Sequence, residues 1–129
     1  MYLIDTNILS YFVKSNAKVV EKFALHSQDI YLCSVVQAEC YYGAKKISSL
    51  GLVKNYDLIF ENFPNLAFDF KASNIFSDLK VVLSNKGKSI EDFDLMIASI
   101  CLANELTLVT NNTKHFQHVP DIQLVDWSV

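Results

Sequence analysis

The 129-residue chain contains no arginine: its eleven basic residues are all lysine, set against fourteen acids, for a net charge of −3. That balance argues against a surface built broadly for nucleic acid. The missing guanidinium also removes the fork that grips phosphate in two places, leaving only ammonium point charges for such contacts. Glycine and proline are scarce, three and two residues, which excludes collagen-like and low-complexity chains. No CxxC pair, Walker loop, GxGxxG or serine nucleophile elbow is present. The usual marks of thiol redox, nucleotide-binding and serine-hydrolase chemistry are therefore missing. No apolar run approaches the roughly 20 residues of a membrane helix, and no signal-peptide pattern opens the chain, so neither membrane insertion nor export is expected. Cys33, Cys40 and Cys101 are odd in number and read as small, reduced core residues. A cytoplasmic protein is the expectation.

What the chain does have is a regular alternation. A hydrophobic content of 51% suffices for a self-sufficient core at this length. Short β-like runs at 2–4, 30–33, 66–68, 107–109 and 122–125 alternate with helical stretches at 6–26, 35–47, 51–63, 70–86 and 90–104. This rhythm predicts an α/β fold: a twisted, mainly parallel sheet of about five strands flanked by helices on both faces. Nothing resembling a linker or repeat interrupts it, so residues 1–129 are read as one domain. Ser34-Val35-Val36-Gln37 and Ser89-Ile90-Glu91-Asp92 have the form of capping boxes, which would set the phase of two helices.

Three acids draw attention in that frame. Asp5 ends the first apolar strand as a helix begins, where open parallel sheets bind ligands; a plain helix cap explains it equally well. Glu39 shares a helix face with Val35, Val36, Tyr42 and Gly43, so it is either held inward, needing a partner or a cation, or snorkels out. Gly43 on that face either ends a turn early or lets another backbone approach. Asp94 sits in the first turns of a helix, just before the stretch Leu95–Ala103, apolar on nearly every side, and a carboxylate at the positive end of such a buried helix is a natural cation or proton site. Asp92 has a ready capping role and ranks behind it. Thr110-Asn111-Asn112-Thr113 would face the same rim as Asp5, or simply form a turn. His115 and His118, spaced HxxH without an acid partner, read as surface residues. Carboxylates from several elements suit Mg2+ or Mn2+ and the phosphoryl-transfer chemistry such ions perform.

The order and spacing of these pieces resemble the PIN-domain ribonucleases, in particular VapC-like toxins of type II toxin–antitoxin pairs. The resemblance rests on Tyr2-Leu3-Ile4-Asp5-Thr6-Asn7, on Ser34 through Ala44, on Gly87-Lys88-Ser89-Ile90 through Ala98, on Leu108 through Phe116, on Val119-Pro120 and on Asp126-Trp127. It implies a single PIN-like domain in which Asp5, Glu39 and Asp94 bind Mg2+ (or Mn2+) and activate water for RNA hydrolysis that leaves a 5′-phosphate. Thr6 and Thr110 would line the site, and Asn112 falls where many relatives carry a fourth acid. The resemblance also implies a homodimer and a small antitoxin that blocks the acidic site. Lys14, Lys45, Lys46, Lys86, Lys88 and Lys114 are the groups left to meet RNA. Two other readings fit parts of the pattern. One is a PIN-like binding module without catalysis. The other is an aspartate-nucleophile phosphatase, although Asn7 stands where that chemistry wants a second Asp.

Overall fold

Leu3 and Ile4 are sealed from solvent because β1 (Tyr2–Ile4) is the middle strand of five. The computed structural model of the protein describes residues 1–129. From β1 the chain passes through α1 (Thr6–Val13), α2 (Ala17–Leu25) and a short 3-10 turn to β2 (Ile30–Cys33), then through α3 (Ser34–Lys46) and α4 (Leu50–Asn62) to β3 (Asn65–Leu66). Helices α5 (Phe70–Asn85) and α6 (Asp92–Ala103) then carry it to β4 (Thr107–Val109), and α7 (Thr113–Phe116) leads to β5 (Gln123–Val125). The spatial order is β3-β2-β1-β4-β5 and every pairing is parallel. Tyr2 therefore stands beside Ile30 on one side and Thr107 on the other. The chain thus builds outward from β1 in one direction, then returns to pair β4 on its other edge. That reversal opens a crevice beyond the carboxyl ends of the strands, where ligands of open α/β sheets bind.

Packing explains the apolar patterns. Leu95, Ile97, Ala98, Ile100, Cys101 and Ala103 of α6 are all buried, as the all-round apolar sequence of that helix demands. The three cysteines are free and buried. No helix is long and apolar enough to cross a membrane.

Three local expectations are corrected. The stretch 6–26 is two helices, because Ser15 turns left-handed (φ 62°) and Asn16 begins α2 by accepting from Val19 N at 3.2 Å. Ser34 does not cap α3: Cys33 of β2 runs straight into the helix in extended conformation, so Ser34 is already its first residue. Gln37, the other half of that box, instead accepts from Asn65 Nδ2 at 2.6 Å. Likewise α6 starts only at Asp92, so Ser89 lies before it and the residue at its cap is Glu91, without a side-chain bond.

The scarcity of glycine leaves its mark on helix ends. Helices α1, α3, α5 and α6 each close with the paired bonds of a Schellman motif, in which the residue after the cap turns left-handed. Only α5 has glycine there, Gly87; the others use Ser15, Ser48 and Glu105 at φ between 54° and 62°. A side chain in that conformation costs roughly 1–2 kcal/mol, of which glycine's extra unfolded-state entropy takes back about 0.5–1. Glu105→Gly, at an exposed position, should therefore stabilise the protein by about 0.5–1 kcal/mol. Urea unfolding of the two proteins checks this.

Candidate active site

Asp5 follows β1 and is both a helix cap and the floor of a cleft. Its Oδ1 accepts from Thr6 N at 2.8 Å, and its Oδ2 accepts from the Thr110 hydroxyl at 2.7 Å. Its own N–H donates to Val109 O at 2.9 Å, one step beyond the last β1–β4 pair. Only 5% of Asp5 is exposed, and Thr110 is fully buried beneath it. The Thr110 hydroxyl also accepts from Asn112 N at 3.0 Å, so one side chain ties Asp5 to the turn after β4. Thr6 continues the chain of bonds outward, donating from Oγ1 to Glu39 Oε1 at 2.7 Å. Four residues from three parts of the fold are thus joined in a line, Thr110, Asp5, Thr6 and Glu39, with the Thr6 backbone N–H making the middle link.

Asp94 enters from the first turn of α6. Its Oδ2 lies 3.1 Å from His115 Nε2. Asp5, Glu39 and Asp94 line one polar cleft of about 200 Å3, together with Thr6, Asn7, Glu91 and Asn112. A second groove of about 280 Å3 continues from Thr6, Asn7 and Glu39 past Lys14 and Gly43. Gly43 lies within α3 rather than ending a turn, and nothing stands within 4 Å of where its Cβ would be.

Burial pushes all three carboxyls above their ordinary range, and neighbouring acids add to it. Asp5 is raised by desolvation, against the Thr110 and Thr6 hydrogen bonds that lower it, with Asp94 raising it further. Glu39 is raised by desolvation and by the charges of Asp5 and Glu91, while Thr6 lowers it. Asp94 is raised by desolvation and by Glu39 and Glu91, with His115 opposing. No three His, Cys, Asp or Glu side chains stand close enough, as they lie, to enclose a metal ion. The donor chemistry nevertheless suits one, since every ligand on offer is a hard oxygen. Each Asp5 oxygen spends only one lone pair on its hydrogen bond. Glu39 and Asp94 are less buried than Asp5.

Comparison with known protein families matches the PIN domain over residues 2–122. The chain belongs to the PIN-domain family. It is 30% identical to Ribonuclease VapC2 of Rickettsia felis, over 98% of each chain. It is likewise 30% identical to the tRNA(fMet)-specific endonuclease VapC of Shigella flexneri, again over 98% of each. Among solved structures, VapBC2 from Rickettsia felis bound to a DNA fragment from its promoter superposes with a TM-score of 0.91 at 31% identity, covering 98% of each chain. This PIN domain is therefore homologous to VapC toxins of type II toxin–antitoxin systems.

For this PIN domain the sequence reading named residues that the fold distributes unevenly. Asp5, Glu39, Asp94, Thr6 and Asn112 share the cleft, while Thr110 lies under it. Asp92 is turned elsewhere: it pairs with Lys80 of α5 at 2.8 Å, and both side chains are more than half exposed, so the pair contributes little. His118 is exposed as expected. His115 is not the surface residue expected, because the short α7 folds back and brings its ring against Asp94. Glu91 was also missed. Its i,i+3 spacing from Asp94 was the available signal, and the capping-box reading concealed it.

The raised carboxyls make a prediction about pH. A folded chain that holds these protons more tightly than the unfolded chain is helped fully below the ordinary carboxylate range, and loses that help as pH rises through the folded values. At neutral pH, with chelator present, Asp94→Asn should therefore melt above the parent, since Asn keeps an oxygen for His115 but carries no charge. The difference should shrink as pH falls to the ordinary aspartate value near 3.8. Thermal unfolding across that range measures it; a variant that melts lower at every pH would mean that burial and the neighbouring acids do not penalise the Asp94 charge.

Proposed function

We propose that this chain is a Mg2+- or Mn2+-dependent endoribonuclease and the toxin of a toxin–antitoxin pair, using Asp5, Glu39 and Asp94 to hold the metal. The observation that carries this reading is the convergence of three carboxylates on one cleft, all resisting ionisation. Such a cluster favours a bound cation.

A divalent ion there would acidify a water and neutralise phosphate charge. The chain's own residues do the rest. Asp5, bonded at both oxygens, is the fixed reference of the site. Glu39, oriented at Oε1 by Thr6, has Oε2 and a second Oε1 lone pair left, one to hold the ion and one to take the proton of the attacking water. Asn112, exposed at the rim, offers its amide to a phosphate oxygen. Water attacks phosphorus in line as the bond to the 3′-oxygen breaks, and the departing oxygen takes a proton from solvent water, leaving a 5′-phosphate and a 3′-hydroxyl. Lys14, on the adjoining groove, meets the RNA backbone as a point charge. Thr110, buried, positions Asp5 and does not reach substrate.

The partner follows from the same groove. An antitoxin segment lying over the open face of Gly43 would lead directly to Glu39. Two copies of the toxin would pair as a homodimer, and the reaction would take place in the cytoplasm.

Because the Shigella flexneri relative is a tRNA(fMet)-specific endonuclease, tRNA(fMet) is the first RNA to offer. Cleavage should require Mg2+ or Mn2+ and stop with chelator. Asp5→Asn and Asp94→Asn should each slow it by about a thousandfold or more, the loss of several kcal/mol of transition-state stabilisation. Undiminished cutting by either folded variant would sink the assignment.

A basic antitoxin side chain entering the cleft would be held by charge-assisted bonds. Changing that residue to Ala should weaken toxin binding by about 1.5–3 kcal/mol, and by less when Glu39 is already Gln. Equal losses in both backgrounds would move the contact away from Glu39.

A further inference from the structure

His115 touches Asp94 yet does not line the cleft. Its Nε2 sits 3.1 Å from Asp94 Oδ2, so the ring stands behind the carboxylate and occupies one of its two oxygens. The backbone N–H of His115 donates to Asn112 O at 3.1 Å, and the imidazole meets Phe116 edge-on at 5.5 Å between centroids. Phe116 is itself buried, with 1% exposed. The contact needs only a proton on Nε2, which the neutral tautomer supplies as well as the imidazolium does.

We infer that His115 is a positioning residue that keeps Asp94 a one-oxygen ligand, and so makes the cleft select Mg2+ and Mn2+ against Ca2+. The inference rests on the metal-binding reading of Asp5, Glu39 and Asp94. Mg2+ demands a small, nearly octahedral shell with ligands at about 2.0–2.1 Å, whereas Ca2+ collects six to eight oxygens at about 2.3–2.6 Å and often takes both oxygens of one carboxylate. With one lone pair of Oδ2 taken by His115, Oδ1 is the freer oxygen of Asp94, and a cation that needs both oxygens must compete with the imidazole N–H. Mg2+, which needs one oxygen, loses nothing by this, whereas Ca2+ bound through both would have to share Oδ2 with the imidazole N–H. Groups in this outer position typically change metal affinity about 10–100-fold.

The test is calorimetric titration of Mg2+, Mn2+ and Ca2+ into metal-stripped protein without RNA, for the parent, His115→Ala and His115→Gln. His115→Ala should weaken Mg2+ about tenfold while leaving Ca2+ unchanged or tighter, shifting the preference toward Ca2+ by at least that factor. His115→Gln, which keeps an N–H to donate, should stay near the parent. Electron paramagnetic resonance of the Mn2+-loaded parent needs no variant, and should show no directly bound nitrogen. A directly bound nitrogen would make His115 a ligand and overturn the inference. An unchanged Ca2+-to-Mg2+ preference in His115→Ala would overturn it while leaving the metal reading in place. A parent that binds none of the three ions would remove both.

Discussion

Asp5 carries a carboxylate at the end of the central strand, almost out of reach of water, and the remainder of the rim is registered against it. Two donors make that position tenable: the Thr6 backbone N–H and the Thr110 hydroxyl, one on each oxygen. A buried hydrogen bond to a charged group contributes about 1.5–3 kcal/mol, and leaving the charge unpartnered costs more. The sheet therefore has to hold β1 and β4 in one register for Asp5 to exist there as an acid. Thr6 and Thr110 are then already placed to orient Glu39 and the Asn112 turn. No buried side-chain polar atom is left without a partner anywhere in the chain.

The fold was legible because it depends on coarse patterns. Five apolar runs of strand length, separated by helical stretches, admit few arrangements other than a parallel sheet. The β4 run, 107–109, has the same bounds in the sequence reading and the structure. Boundaries went astray where one residue decided them. Ser15 breaks a helix that apolar spacing carried through to residue 26, because a left-handed serine leaves no trace in periodicity. The capping boxes at Ser34 and Ser89 matched in composition but not in backbone. A strand that runs directly into a helix leaves no residue free to cap it.

The candidate site divides along similar lines. Asp5 and Asp94 stood out against apolar surroundings, and Glu39 stood out on an inward helix face. His115 and Glu91 did not, for different reasons. The placement of His115 depends on α7 folding back over the strand ends, a tertiary event that no local pattern encodes. Glu91 was masked by a more familiar explanation of its neighbours. Asp92, by contrast, attracted attention by being an acid in the right segment, and points instead toward α5. Proximity in sequence to a cleft residue says little on a helix, where adjacent positions face about 100° apart.

The bond between Thr110 and Asp5 spans 105 residues, and this has a consequence for the order in which the molecule comes into being. Asp5 leaves the ribosome 105 residues before Thr110. A domain generally folds as a unit, so whatever β1, β2 and the helices between them gather before β4 emerges lacks the sheet's central edge. The β1–β4 edge must wait, and until it closes Asp5 lacks one of its two donors. A growing chain therefore holds its acids in a form that is not yet a site, and the cleft comes together only once β4 and Thr110 have emerged.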